Sequence, residues 1–127
     1  MAPIVNIAIV AAGGALGCCL RYGVCCIANI SQVRGLGTLL VNAIGCFIIG
    51  VFYAVFSRYE IAECWRLFLF IGLLGGFTTF SSYTMDAINM AQSGAHIQAL
   101  MYVAVTNILG FILAGLGFYL TYKLVKV

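Results

Sequence analysis

Long uncharged apolar segments dominate this chain of 127 residues. Residues 4–20, 35–57 and 67–85 contain no Asp, Glu, Lys or Arg, and neither does 87–122, which a polar turn at 92–98 interrupts. A helix needs about 20 mostly apolar residues to cross a bilayer. With 65% hydrophobic and 7% charged residues, the chain also has too little polar surface to cover a soluble globule. The sequence therefore predicts an all-α membrane protein with four transmembrane helices.

The predicted helices follow from these segments and their charged flanks. They cover Ile4–Ile30, Gly35–Ser57, Trp65–Ala91 and Ile97–Leu124. The first is not a secretory signal peptide, because it lacks a positively charged start and its apolar character continues beyond Arg21. Residues 1–127 are thus expected to form one transmembrane domain without a soluble part, so that any chemistry takes place within the membrane. This excludes most enzyme classes, and we predict that the protein is not an enzyme.

The basic residues give only a weak preference for one orientation in the membrane. Four crossings place both chain ends and the 57–66 loop on one side, and the 31–35 and 92–96 turns on the other. The second side carries Arg34, with Arg21 near it, and the first carries Arg58, Arg66, Lys123 and Lys126. This small excess of basic residues on one side does not fix the orientation. The chain could therefore insert in both directions and form an antiparallel dimer. The net charge of +3 forms no clustered basic face, so no nucleic-acid partner is predicted.

Cysteines and spaced glycines are interpreted as packing residues. The cysteines stand at positions 18, 19, 25, 26, 46 and 64, form no CxxC motif and are not adjacent to His96. Because five of these six lie inside predicted helices, a disulfide framework or a zinc site is poorly supported. The pairs Gly13/Gly17 and Gly72/Gly76, each four residues apart, predict close contacts between helices.

The segment 72–83 differs from the apolar sequence around it because it combines glycines, hydroxyl residues and aromatic residues. Glycine destabilises a helix interior by about 1 kcal/mol relative to alanine, and Ser and Thr side chains compete for backbone hydrogen bonds. The sequence therefore predicts a local break in the third helix at Gly75–Thr79. Irregular backbone inside a membrane must be satisfied by protein or by a water-filled cavity, and ion sites commonly occur there.

Polar and aromatic side chains inside the predicted spans are the candidate functional residues, because each buried polar group must find a partner or face water. The set consists of Thr38 and Asn42 on the second helix, Phe80, Ser81 and Tyr83 on the third, and Tyr102 and Thr106 on the fourth. These residues supply amide and hydroxyl donors and the positive edges of aromatic rings, without a carboxylate. Such a lining suits a small anion better than a cation or a proton relay.

Several of these residues also have structural interpretations. The Asn42 amide could bridge two helices, and Ser or Thr hydroxyls commonly bond to their own helix. Tyr102 could anchor the chain at the membrane interface, while Phe80 alone would be a packing residue. Arg21 could extend to the interface or attract anions into a vestibule. Asp86 is interpreted as an ion-pair partner near a helix end.

Three motifs taken together resemble one known family. They are Gly14-Ala-Leu-Gly-Cys-Cys-Leu-Arg-Tyr22, Gly37-Thr-Leu-Leu-Val-Asn-Ala-Ile-Gly45 and Gly75-Gly-Phe-Thr-Thr-Phe-Ser-Ser-Tyr-Thr-Met-Asp86. This combination resembles the Fluc fluoride channels, also called the CrcB family, and the likeness extends over the whole chain. The chain departs from the family pattern at Tyr83, where phenylalanine is usual, and at Gly110, where a hydroxyl residue is frequent.

The resemblance implies an antiparallel, dual-topology homodimer in a bacterial plasma membrane, with two fluoride pores that export fluoride passively and protect the cell. It also implies a structural sodium ion between the subunits, held by the backbone carbonyls of Gly75 and Thr78. The pore positions of the family fall on Asn42, Phe80 and Tyr83. Its polar track falls on Thr38, Tyr102 and Thr106, with Arg21 near the vestibule. Exposed carbonyls at a helix break suit such a hard cation, which prefers oxygen ligands.

Two other classes of membrane protein have a comparable size. A small multidrug-resistance transporter also has four helices and dual topology, but its chemistry requires a glutamate inside the first helix, where this chain has no acid. A membrane assembly subunit without transport activity would need only packing residues, and it leaves the polar positions unexplained.

Overall fold

The computed structural model describes residues 2–125, whose regular structure is entirely helical. The elements are α1 (Pro3–Asn29), α2 (Leu36–Arg58), α3 (Glu63–Arg66), a π-helical segment (Leu67–Leu74), α4 (Gly75–Phe77), α5 (Phe80–Gln92) and α6 (His96–Leu124). Four stretches are long and apolar enough to cross a membrane: Pro3–Asn29, Leu36–Arg58, Glu63–Gln92 and His96–Leu124. The prediction of an all-α chain with four such helices is confirmed. Their ends differ from the expected positions by no more than two residues.

Two side-chain contacts show which helix ends lie together. The Arg34 guanidinium donates a 2.8 Å hydrogen bond to Ser93 Oγ, which brings the turn before α2 next to the turn before α6. At the opposite end, the Arg58 guanidinium carbon lies 3.8 Å from the centroid of the Tyr122 ring. The helices α2 and α6 therefore run in the same direction. Lys126, the last basic residue of the predicted charge distribution, lies outside the described residues.

Glycines bring the helix backbones close together. A Cβ atom added to Gly13 would lie 2.5 Å from the carbonyl oxygen of Phe68, and one added to Gly76 would lie 2.6 Å from that of Gly14. A Cβ atom on Gly72 would lie 2.8 Å from the carbonyl oxygen of Val10. Helices in lipid associate through this kind of close packing, because lipid tails are as apolar as the side chains. The predicted glycine contacts between helices are confirmed for α1 and the third span.

Two threonines, and not the glycines before them, leave helical geometry within the predicted break. Gly75 is helical, with φ −62° and ψ −36°. Thr78 has φ −83° and ψ 159°, Thr79 has φ −152° and ψ 120°, and both are therefore extended. Extended backbone at two consecutive residues separates α4 from α5 and removes hydrogen bonds that a continuous helix would make.

The outer surface of the single chain is apolar. Ile4, Phe111 and Leu124 are 79%, 81% and 81% exposed, whereas Val41 is fully buried. Exposed apolar side chains at this density fit contact with lipid or with another chain. The cysteines occupy both the surface and the helix contacts. Cys18 is exposed, whereas Cys46 is half-buried, and its Sγ would lie 3.3 Å from a Cβ atom added to Gly110.

Candidate functional site: a donor-lined cavity beside the extended threonines

A cavity of about 410 Å³ lies between α2, the residues joining α4 to α5, and α6. Asn42, Phe80, Tyr83 and Thr106, four of the predicted pore residues, line this cavity together with Thr78. These residues come from three spans that are distant in sequence. None of the described residues that line the cavity is charged.

The Asn42 amide compensates for the irregular backbone at Thr79. Asn42 Nδ2 donates a 3.0 Å hydrogen bond to the Thr79 carbonyl, and the Thr79 backbone N–H donates a 2.9 Å bond to Asn42 Oδ1. One side chain thus pairs with both backbone groups of an extended residue. An amide carries two N–H donors, and these bonds use only one of them. Asn42 therefore links α2 to the extended residues and also lines the cavity, while its contact with an ion stays a prediction.

The first turn of α5 lies next to the cavity. Thr79 caps this helix, because its Oγ1 accepts a 3.2 Å hydrogen bond from the Ser82 backbone N–H. A helix N-terminus carries a partial positive charge, which favours nearby anions. Ser81, a predicted pore residue, is exposed in the single chain, where its Oγ lies 3.3 Å from Thr79 Oγ1.

The two predicted ring positions occupy different environments. Phe80 is 79% exposed, whereas Tyr83 is only 9% exposed. Their ring centroids lie 5.6 Å apart, and the Tyr83 and Tyr102 centroids are also 5.6 Å apart. The Tyr83 ring is thus packed between two other aromatic rings. Within the single chain, neighbouring rings therefore hold the Tyr83 ring on two sides, whereas most of the Phe80 ring is exposed.

Asn107 on α6 is a cavity residue that the sequence analysis missed. Its Nδ2 donates a 2.8 Å hydrogen bond to the Tyr83 hydroxyl and a 2.7 Å bond to the Val103 carbonyl. The criterion that identified Asn42, an amide inside an uncharged span, would also have identified Asn107.

A carboxylate binds two of the hydroxyls that were expected to face the pathway. Thr38 Oγ1 donates a 2.6 Å hydrogen bond to Asp86 Oδ2, and the Tyr102 hydroxyl donates a 3.4 Å bond to the same oxygen. Thr38 and Tyr102 therefore contact a carboxylate that was not part of the predicted polar set, and their place along an ion pathway stays a prediction. Within residues 2–125, Asp86 accepts hydrogen bonds from two hydroxyls and forms no ion pair, although an ion pair was expected. We call Thr38, Asp86 and Tyr102 the carboxylate cluster.

Thr106 differs from the other predicted hydroxyl residues. Its Oγ1 is buried and has no hydrogen-bond partner among residues 2–125. It lines the same cavity as Asn42 and Tyr83. A buried hydroxyl without a partner is costly unless a ligand or water satisfies it.

The backbone oxygens predicted to bind sodium lie where α4 meets the extended residues. In a continuous helix the Gly75 carbonyl would accept from the Thr79 N–H, but that donor binds Asn42. Gly75 is exposed, and the Thr78 carbonyl accepts a long 3.4 Å bond from Arg21 Nη1. Free carbonyl oxygens are suitable ligands for a hard cation, so the residues present fit such an ion. One chain supplies two of these oxygens, and a hard cation is held by more oxygen ligands than two.

Comparison with known proteins identifies relatives that cover nearly the whole chain. A family model described as "CrcB-like protein, Camphor Resistance (CrcB)" matches residues 8–118. A protein of Desulfotalea psychrophila named "Fluoride-specific ion channel FluC" is 35% identical over 97% of each chain. Proteins with the same name from Helicobacter pylori (strain P12) and Parabacteroides distasonis are 40% and 42% identical, over 92% and 83% of this chain and 93% and 84% of their own.

These relatives carry the name of an ion channel and not of an enzyme, in agreement with the prediction that the chain is not an enzyme. The family match covers 111 residues, from 8 to 118, and the three motifs that suggested it lie within that range. The chain belongs to the CrcB family.

Proposed function

We propose that this protein is a passive, fluoride-selective ion channel. The observation that carries this proposal is the uncharged cavity, which is lined by the donor-bearing residues Asn42, Tyr83 and Thr106. Fluoride is small and strongly hydrated, so a pore has to replace its lost water with donors while keeping each contact weak enough for release. The printed names of the relatives, which are fluoride-specific channels, support the choice of anion.

The electrostatics of the cavity favour an anion over a cation. The N-terminus of α5 borders this space, and the second N–H of Asn42, which lines it, would add positive charge density there. Ring edges of Phe80 and Tyr83 would add to it, because the edge is the positive part of an aromatic ring. The negative charge of Asp86 lies outside the lining residues, where Thr38 and Tyr102 donate hydrogen bonds to it.

We further propose that two copies assemble as an antiparallel homodimer around a structural sodium ion. The free carbonyl of Gly75 and the weakly bonded carbonyl of Thr78 would hold the ion, each supplied twice by a two-fold axis. When bound, the ion would supply a fixed positive potential beside the two pores. The exposed surfaces of Gly75, Phe80 and Ser81 are available to a second copy. Arg21, which contacts the Thr78 carbonyl, would lie near the entrance of the pathway.

The physiological role proposed is protection from fluoride toxicity in a bacterial plasma membrane. Fluoride that enters a cell as the neutral acid dissociates inside, and a passive channel lets the anion leave along its gradient. Each chain would contribute the four spans described above to a multi-pass membrane protein.

Ion flux from proteoliposomes containing the purified protein tests this function. We expect fluoride efflux as soon as a potassium ionophore dissipates the opposing voltage, with chloride efflux in the same vesicles at least a hundredfold slower. Vesicles without protein provide the control. Equal fluoride and chloride rates would contradict a fluoride channel, and flux that requires a proton gradient and an organic cation would favour a multidrug transporter. An absence of any flux from folded protein would favour an assembly subunit.

A further inference from the structure

We propose that Asn107 is a positioning residue that makes the Tyr83 hydroxyl a hydrogen-bond donor to the transported anion. The inference rests on the proposed function and concerns the one ring position at which this chain carries a tyrosine. It predicts that the phenolic O–H, and not only the ring edge, contacts the ion.

The orientation of the Asn107 amide follows from its neighbours. The amide atom that lies 2.7 Å from the Val103 carbonyl must be nitrogen, because a carbonyl oxygen can only accept a hydrogen bond. The same nitrogen lies 2.8 Å from the Tyr83 hydroxyl. One of its two hydrogens therefore binds Val103, and the other binds the hydroxyl oxygen. Rotation of the amide by 180° would place two carbonyl oxygens against each other.

The role of the Tyr83 hydroxyl follows from this assignment. Because its oxygen accepts from Asn107, its own hydrogen has to point elsewhere. No acceptor for that hydrogen is bonded within residues 2–125, and the residue is 9% exposed and lines the cavity. A buried O–H without an acceptor is costly unless a ligand or water accepts from it. The open direction for this donor is therefore the cavity.

The structure restrains Tyr83 at both ends of its side chain. The ring packs at 5.6 Å from Phe80 and at 5.6 Å from Tyr102, and the hydroxyl is held by Asn107. A donor held in this way loses little conformational entropy when it binds an ion. Thr106, which precedes Asn107 in sequence, also lines the cavity, and its buried hydroxyl has no hydrogen-bond partner among residues 2–125. Two adjacent residues of α6 thus contribute to the donor set, one directly and one through Tyr83.

A double-mutant cycle on fluoride flux tests this inference. The variants are Asn107→Leu, Tyr83→Phe and the combination, with Asn89→Leu as a matched control, since Asn89 is exposed on α5. We expect each single substitution to slow fluoride flux about tenfold, the scale of one hydrogen bond to an ion. The combination should be no slower than Tyr83→Phe alone, because Asn107 acts through the hydroxyl. Chloride flux should change less, and Asn89→Leu should match the parent.

Two outcomes would overturn the inference while leaving the proposed function intact. One is Tyr83→Phe conducting as fast as the parent, which would assign the contact to the ring. The other is an equal effect of Asn107→Leu in the tyrosine and phenylalanine backgrounds, which would assign Asn107 a purely structural role. If Asn107→Leu does not elute as a folded protein in size-exclusion chromatography, the cycle is repeated with Asn107→Ala. Absence of fluoride flux in the parent itself would instead overturn the proposed function.

Discussion

The cavity and the carboxylate cluster both contain hydroxyl groups inside membrane spans, but they use their donors differently. In the carboxylate cluster, Thr38 and Tyr102 both donate to one oxygen of Asp86. In the cavity, Thr106 has no partner among the described residues, and Asn42 and Tyr83 each keep a donor that the observed bonds do not use. We therefore expect a polar residue on a membrane helix to contact an ion only when its donor is not already bound by the protein.

The largest effect on fluoride flux is expected from Asn42→Asp. This substitution would place a negative charge in the cavity, as Asp86 does in the carboxylate cluster. The substitution removes the N–H that binds the Thr79 carbonyl and sets a carboxylate near that oxygen. Fluoride flux should fall at least a hundredfold, because an anion would face a like charge at low dielectric. The measurement is efflux from proteoliposomes. Asn29→Asp, at the exposed end of α1, is the control and should retain parental flux.

Removal of sodium tests whether the free carbonyls beside the cavity need a cation. Purification with N-methylglucamine in place of sodium should weaken the proposed dimer and reduce fluoride flux about tenfold or more, since unpaired carbonyl oxygens would repel each other across its proposed two-fold axis. Native mass spectrometry and flux in sodium-free buffers report the two effects. A sodium gradient at zero voltage should not drive fluoride uphill. Uphill accumulation under these conditions would make the protein a symporter.

Thr106→Val removes the unpartnered hydroxyl of the cavity without changing the side-chain volume much. We expect about tenfold slower fluoride flux, with unchanged thermal stability, because the hydroxyl has no hydrogen-bond partner to lose within residues 2–125. Thermal unfolding in detergent and fluoride efflux measure the two quantities. A marked loss of melting temperature with normal flux would show that this hydroxyl serves the fold.

Thr38→Val makes the same change in the carboxylate cluster and should have the smallest effect on flux. The Thr38 hydroxyl affects an anion in the pathway only by compensating the negative charge of Asp86. We therefore expect fluoride flux to decrease two- to threefold, about the scale of one screened interaction between charges. In an Asp86→Asn background this decrease in flux should disappear, because the negative charge that the Thr38 hydroxyl compensates is absent. A larger loss than that of Thr106→Val would remove the distinction between the two regions.

The sequence contained enough information to predict the membrane spans and the glycine contacts. Hydrophobic segments of sufficient length have few alternatives in a bilayer, since every backbone polar group has to be satisfied within the helix. The contact of Gly13 with the third span followed from its spacing to Gly17, because small residues four apart permit close approach. Which residues of the predicted break are extended did not follow. Gly75 and Gly76 are helical, and Gly76 packs against Gly14 of α1, whereas Thr78 and Thr79 are extended.

Among the candidate site residues, the sequence by itself determined the types of group that α2, α5 and α6 carry inside the membrane. Only the tertiary structure decided which of them remain free, since hydrogen-bond partners come from different helices. It paired Asn42 with Thr79 and Thr38 with Asp86, and it brought Asn107 to the Tyr83 hydroxyl. Helical spacing specifies which residues share a face, but the rotation and distance of the neighbouring helix depend on packing along its whole length. The free donors of the cavity are therefore a property of the packed helices and not of any single motif.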